Sequence, residues 1–287
     1  MKVLVLGAAG QVGRAVLAAA PAAHECIALD RAALDIRQPA RLPERLRAMP
    51  CDWIVNAAAY TAVDAAEDDV ASAQAVNADA VAGIAAAARE AGARLLQLST
   101  DFVFDGAQSY AYQPDCAAHP LSVYGRTKLE GELHALAFAG GYVLRTSWVY
   151  ASTGRNFVLT MLRLMREGHE MRVVSDQIGA PTWAASLAGA LWALMESAPS
   201  QRTLHWCDAG VASWYDFAVA IQEEALARGL LPKQVPVRPI GTAEYPTKAG
   251  RPPFSLLDCR STAQALGVSP LHWRVQLRSM LDELRAA

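Results

Sequence analysis

The apolar run Val3-Leu4-Val5-Leu6 leads directly into Gly7-Ala8-Ala9-Gly10-Gln11-Val12-Gly13, and a helix-periodic stretch begins at Gln11. Few folds open this way. A buried strand that turns through glycines into a helix brings backbone N–H groups and the positive end of a helix to one point, which suits a pyrophosphate. The spacing is GxxGxxG rather than the longer GxGxxG fingerprint. A glycine-rich turn alone is a weak signal, and its place between strand and helix gives it weight. A signal sequence also contains an apolar run. Here the glycines, Gln11 and Arg14 break it at once, so a buried strand is the better reading.

Further along, apolar strands and helical stretches alternate. Cys26–Leu29, Trp53–Asn56, Arg94–Leu98 and Tyr142–Thr146 read as strands, and Gln11–Ala20, Arg41–Met49, Glu67–Ala91 and Val123–Ala137 as helices. Nearly continuous apolar strands joined by helices predict a parallel sheet covered on both faces. The expected fold class is α/β, a Rossmann-type doubly wound parallel sheet with a smaller C-terminal substrate domain. After about residue 150 the pattern loosens into helices at Phe157–Glu167, Ala184–Ser197 and Trp214–Ala227, short strands, and a proline-rich segment, Pro232–Pro253. The expected division is a dinucleotide-binding domain over 1–150 and a mainly substrate-binding domain over 151–287, with segments of the latter returning to the main sheet.

Composition narrows the function classes. The formal net charge is -2 with no basic stripe, which argues against nucleic acid and anionic membrane as partners. The five cysteines are odd in number and form no CxxC pair, so a reducing compartment fits better than a disulfide framework. The histidines form neither HExxH nor a Cys/His cluster, so no metal site is expected. No apolar stretch approaches the ~18 residues of a membrane span. A cytoplasmic protein is expected.

Asp30 ends the second strand, about 20 residues after the loop, where an acid can bind a ribose 2′-hydroxyl. Arg31 beside it suits a 2′-phosphate instead, so NADH and NADPH both stay open. Asp35 and Ile36 lie just beyond, placed to flank the adenine. Ala59, Tyr60 and Thr61 follow the third strand. The small residues there either leave room for a cofactor along the strand ends or serve tight helix–sheet packing.

Tyr124 and Lys128 are four apart and share a helix face, with Ser122 as N-cap. A cation near a phenol lowers its pKa, which suits a tyrosine that passes a proton. YxxxK alone is common by chance. Here Thr100 follows the fourth strand, at the same ligand-binding edge, where its hydroxyl can polarise a carbonyl that Tyr124 protonates. Trp148 ends the fifth strand and offers a flat face to a sugar or base, unless it is a core tryptophan at the junction of the two halves.

The stretches GAAGQVG, LDRAALDI, NAAAYTAVDAAE, STDFVFDG, PLSVYGRTKLEGE, RTSWVY, DQIGAPT and AGRPPFSLLDCR, in this order across nearly the whole chain, resemble the dTDP-4-dehydrorhamnose reductase family of extended short-chain dehydrogenases. The resemblance implies NADPH- or NADH-dependent reduction of the 4-keto group of dTDP-4-dehydro-6-deoxy-L-mannose to dTDP-L-rhamnose. It implies a catalytic set of Thr100, Tyr124 and Lys128, with substrate contacts on Thr100, Asp101 and Trp148. Cofactor contacts would fall on Gly10, Gln11, Val12, Asp30, Asp35, Ile36, Ala59, Tyr60 and Thr61. Gly7, Gly13 and Arg31 complete the cofactor set read from the residues, with Tyr124 and Lys128 beside the nicotinamide ribose.

A dehydratase or epimerase of the same fold is the nearest rival. Dehydratases of this group carry a Thr-Asp-Glu stretch, and here Phe102 stands at the third position, unable to move a proton. A regulatory subunit of methionine adenosyltransferase also resembles the family, but such a subunit needs no Tyr/Lys pair. Some family members are thought to use magnesium at a dimer interface. The acid two residues after the third glycine is Ala15 here, so the expectation is a metal-independent monomer or weak homodimer.

Overall fold

A computed structural model of the chain describes residues 1–286; the end of the expected second domain, residue 287, lies outside them. The first half runs β1 (Lys2–Leu6), α1 (Gln11–Ala18), β2 (Glu25–Leu29), α2 (Leu42–Arg47), β3 (Trp53–Asn56), α3 (Val63–Ala66), α4 (Val70–Gln74), α5 (Ala80–Ala91), β4 (Arg94–Thr100), α6 (Val123–Leu136) and β5 (Gly141–Thr146). The second runs β6 (Val149–Tyr150), α7 (Phe157–Arg166), β7 (Met171–Val174), β8 (Ile178–Gly179), β9 (Thr182–Trp183), α8 (Ala184–Ser197), β10 (Thr203–His205), β11 (Ala212–Ser213), α9 (Trp214–Ala227), β12 (Val237–Ile240), α10 (Arg260–Leu266) and α11 (Trp273–Ala286).

Six parallel strands form one sheet in the order β10-β5-β4-β3-β1-β2. The chain goes outward from β1 to β2, then returns to place β3 on the other side of β1. That reversal opens a crevice at the carboxyl ends of β1 and β3, where such sheets bind ligands. The α/β, doubly wound reading therefore holds. The apolar N-terminal run is β1, an interior strand between β3 and the edge strand β2.

Both sheet faces are covered. Val3, Val5, Trp53 and Leu96 pack with Leu187, Leu191 and Trp192 on one side. Leu4, Leu6, Ile54 and Leu95 pack with Leu42, Val81 and Ile84 on the other. Alternate residues of β1 enter opposite layers, as the period of two along a strand requires. The helix α8 comes from the second half yet lies on α1, with Trp192 Nε1 donating to the Val16 carbonyl at 2.9 Å. A separate apolar cluster joins α7, α9 and α11 around Tyr150, Phe217 and Trp273.

The stretch expected as one helix over Glu67–Ala91 is interrupted. The short helix α3 ends at Ala66, just before it, and the stretch itself holds α4 capped by Asp69, then a π-helical turn over Ala75–Asp79, then α5. By length and composition the run Val70–Ala91, of 22 residues, could cross a membrane, contrary to the reading that no stretch qualifies. It is a core element instead: Ala73, Ala80, Val81, Ile84, Ala87 and Ala88 are buried against the sheet and its neighbouring helices.

Candidate active site

The turn after β1 is shaped by what it cannot hold. Gly7 has φ +75, and a Cβ there would lie 2.6 Å from the Ala58 backbone nitrogen. A Cβ on Gly13 would meet the Gly7 carbonyl oxygen at 2.3 Å. The loop, the end of β3 and the start of α1 therefore close on one another only because those side chains are absent. Gly7 and Ala8 donate to the Leu29 carbonyl at 2.9 and 3.2 Å. Among the described residues no side chain caps α1 at Gly10, and its first turn carries no acid. Its first N–H groups are left for an anion. The partly buried Val12 packs against the core, while the Gln11 amide oxygen accepts from Asn156 in the second half at 2.9 Å.

The expected adenosine residues are placed less uniformly. Asp30 is exposed, and its Oδ1 accepts from the N–H groups of Ala32 and Ala33 at 3.0 and 2.9 Å. Arg31 is exposed beside it. Asp35 is bound by Arg37, whose guanidinium holds the carboxyl down to about 2. Ile36 is packed into the core with Leu29, Leu34 and Leu42. The Asp35 carboxylate is thus paired with Arg37 at the surface, and the Ile36 side chain is packed inside. Ala59 and Tyr60 are half-buried after β3, and Thr61 is exposed.

Sequence reasoning missed the residue that fixes this loop. Asn77, buried in the π-helical turn, accepts from the Tyr60 N–H at 2.9 Å and donates to the Tyr60 carbonyl at 3.1 Å and to Thr127 Oγ1 at 3.2 Å. One amide side chain so ties the loop after β3 to α6. Glu67, also missed, caps α6 from outside by accepting from the Val123 N–H at 2.8 Å, and Ser122 caps it from within, accepting from Gly125 N–H at 3.1 Å.

Tyr124 and Lys128 lie one turn apart on the buried face of α6. The expected interplay between them is not what the structure shows. The Lys128 ammonium donates to the Leu98 carbonyl at 2.5 Å. Burial pulls its pKa down to about 8, against some support from Glu132. Burial pushes the Tyr124 phenol up to about 12, with the Asp101 carboxylate adding to the rise and the Thr100 hydroxyl opposing it. Burial thus dominates the tyrosine's shift, while the Lys128 ammonium is engaged with the strand backbone. The phenol keeps its proton at neutral pH, because a buried phenolate near a carboxylate would lack the water that stabilises it.

Thr100 ends β4, paired with Thr146 of β5. Its hydroxyl donates to Asp101 Oδ1 at 3.0 Å and its oxygen accepts from the Phe102 N–H at 3.2 Å. Asp101 is buried, and desolvation raises it to about 6 despite those hydrogen bonds. Its Oδ2 accepts from Ser255 at 2.5 Å, a partner no local sequence signal revealed.

Beside this cluster a cavity of about 460 Å³ opens between the two halves, lined by Phe102, Trp148, Arg172, Trp214, Arg251 and Ser255 among others. Trp148, at φ +48, lies flat on Trp214 with ring centroids 3.6 Å apart and planes at 8°. One of its faces is thus covered by another tryptophan. Arg251 pairs with Asp64 at 2.8 Å, fastening the segment before Ser255 over α3. Among the described residues no group of three or more His, Cys, Asp or Glu could hold a metal ion.

The family described as "RmlD substrate binding domain" matches residues 1–286. A dTDP-4-dehydrorhamnose reductase of Aggregatibacter actinomycetemcomitans is 40% identical, with 97% of this chain and 98% of that one covered. Among solved structures, a dTDP-4-dehydrorhamnose reductase of Clostridium acetobutylicum superposes with a TM-score of 0.92 at 35% identity, covering 99% of this chain and all of that one. Another, from Bacillus anthracis in complex with NADP, gives a TM-score of 0.92 at 31% identity, covering 98% of this chain and 99% of that one. With these full-length matches and a phosphate loop and Tyr/Lys helix set on one sheet edge, the chain belongs to the dTDP-4-dehydrorhamnose reductase family.

Proposed function

We propose that this chain reduces the 4-keto group of dTDP-4-dehydro-6-deoxy-L-mannose to dTDP-L-rhamnose with NADPH or NADH. The observation that carries the reading is the buried Tyr124 phenol, which lies beside Thr100 and packs on Phe102, a residue that lines a cavity large enough for a sugar nucleotide. NADPH is the cofactor favoured by the NADP-bound relative, and the tight turn that Gly7 and Gly13 allow, leading into the uncapped start of α1, fits a pyrophosphate.

In this reading the loop 7–13 and the N–H groups of α1 bind the pyrophosphate, Asp30 and Arg31 meet the adenosine ribose, and Lys128 meets the nicotinamide ribose. Bound nicotinamide supplies the hydride. Tyr124 gives its proton to the alkoxide that forms at C4, and a phenol already protonated at neutral pH is the form an acid needs. Thr100 and Asp101 orient the sugar carbonyl. Phe102 stands where an elimination would need an acid, and packs edge-on against Tyr124 with ring centroids 5.7 Å apart. Arg172 and Arg251 line the cavity and suit the substrate diphosphate. Residues 1–150 thus carry the cofactor, and 151–287 mainly the sugar nucleotide. The proton from Tyr124 neutralises the alkoxide, so the chemistry makes no demand for a metal; we take the active species as a cytoplasmic monomer or weak homodimer.

Purified protein should oxidise NADPH only when the dTDP-keto sugar is added, and dTDP-L-rhamnose should be the product. Absence of oxidation, or a product other than the 4-hydroxy sugar, would overturn the reading.

A further inference from the structure

Two hydroxyls converge on one buried carboxylate. Asp101 is 2% exposed, with Thr100 donating to Oδ1 at 3.0 Å and Ser255 donating to Oδ2 at 2.5 Å. Thr100 is its chain neighbour, whereas Ser255 comes from 154 residues further on. Ser255 is itself held in place. Its N–H donates to the Ile178 carbonyl at 2.8 Å, and the Ile178 N–H donates to the Pro253 carbonyl at 2.8 Å. The side chain is 3% exposed, so its hydroxyl has little freedom to turn elsewhere.

Thr100 has a single hydroxyl proton. A ketone in the cavity needs that proton donated to it, yet Asp101 takes it here. A buried carboxylate with Thr100 as its one hydroxyl partner would hold the proton tightly, because an ionised acceptor in low dielectric makes a strong hydrogen bond. A second donor on the other oxygen spreads the charge and weakens that hold. It also fixes the carboxylate plane, so that Oδ1 and no other atom faces Thr100.

We propose that Ser255 is a positioning residue for the reductase reaction, sharing the Asp101 carboxylate so that the Thr100 hydroxyl can turn to the substrate ketone. The inference rests on the reductase reading above. Ser255 acts through Asp101 and does not touch the reacting carbonyl. The arrangement also makes Thr100 sensitive to the second half of the chain, since Ser255 reaches Asp101 only when its segment is pinned to β8.

The test is a double-mutant cycle on the full chain with NADPH and the dTDP-keto sugar. Ser255→Ala should lower kcat by roughly ten- to a hundredfold, the usual span for losing a hydrogen bond to a charged group. The Kd for NADPH, read by nicotinamide fluorescence, should stay at the wild-type value, which also shows that the variant is folded. Ser255→Thr keeps the hydroxyl and should recover most of the rate. In an Asp101→Asn background Ser255→Ala should cost little more, because the charge it shares is gone. A merely structural serine would cost the same in both backgrounds, and that result overturns the inference. So does wild-type kcat in Ser255→Ala. A wild-type chain that fails to oxidise NADPH overturns the reductase reading and this inference with it.

Discussion

Lys128 donates its ammonium proton to the backbone carbonyl of Leu98, two residues before Thr100 on β4, at 2.5 Å. The lysine is thereby braced against the sheet rather than against Tyr124. The same carbonyl accepts from Gln97 Nε2 at 2.7 Å, so it is shared by two donors. The geometry separates two jobs that the Tyr/Lys spacing alone suggests are one. Tyr124 is kept as a protonated acid by burial, and Lys128 is held as a cation at the strand end where a ribose would lie.

That separation makes a specific case for Tyr124→Phe. The ring remains, with its edge-on contact to Phe102, and a buried hydroxyl is removed. The variant should fold and bind NADPH with wild-type Kd, yet lose roughly 10²–10⁴ in kcat, the worth of a positioned general acid. Steady-state rates beside a fluorescence titration check it. A kcat within a few-fold of wild type would remove Tyr124 from its role.

Asp30→Asn tests the cofactor end. Asparagine keeps an oxygen that can cap the Ala32 and Ala33 N–H groups, so the turn after β2 should survive. The change removes a charge that accepts from a 2′-hydroxyl and repels a 2′-phosphate. The KM for NADH should rise relative to that for NADPH, and an unchanged ratio would show that Asp30 serves the turn alone.

How far these residues were legible depends on how local their causes are. The strand–glycine–helix start, the Ser122 cap and the Tyr124/Lys128 spacing are written in consecutive residues, and so were readable. The break in the alanine-rich run was not. Alanine favours helix at every position, and the interruption comes from Asn77 reaching across to Tyr60 and Thr127. The sixth strand, Thr203–His205, is three residues long and shows no alternation to distinguish it from a loop. The contact of Ser255 with Asp101 joins two short polar turns far apart in sequence, and its only local trace is one serine in AGRPPFSLLDCR. Trp148 stands out in RTSWVY, but its positive φ and its Trp214 partner arise from the packing of the second half, so its covered face has no trace in the local sequence.

For Trp148→Ala the stacked pair predicts two effects together. The cavity wall loses an aromatic edge, so the KM for the sugar nucleotide should rise while the NADPH Kd holds. Losing the stack on Trp214 should also lower the melting temperature, since such pairs contribute about 0.5–1.5 kcal/mol beyond their buried area. Calorimetry and kinetics on one preparation check both. A lower melting temperature with an unchanged KM would make Trp148 a packing residue only.

Lys128 yields a pH dependence whose direction follows from its burial. Its pKa falls from the ordinary 10.5 to about 8, chiefly because the ammonium is desolvated. Below about 8 it is the cation that a ribose hydroxyl can meet; above, it is a neutral amine. The pH profile of kcat/KM reports groups of the free enzyme, so it should fall as pH rises through about 8. Tyr124, at about 12, stays protonated across that range and does not contribute. Lys128→Met should have a low rate and lack this alkaline limb. Stability should move the opposite way. The folded pKa lies below the unfolded one, so between about 8 and 10.5 the unfolded chain binds the extra proton and this group's contribution to stability rises with pH. Below that window the buried charge costs stability in full. Lys128→Met removes the charge, and the Leu98 carbonyl keeps Gln97 as donor. The variant should therefore melt higher than wild type at pH 7, with the difference shrinking toward pH 10. Equal melting temperatures at pH 7, or a gap that widens with pH, would show that the ammonium is not desolvated as its burial implies.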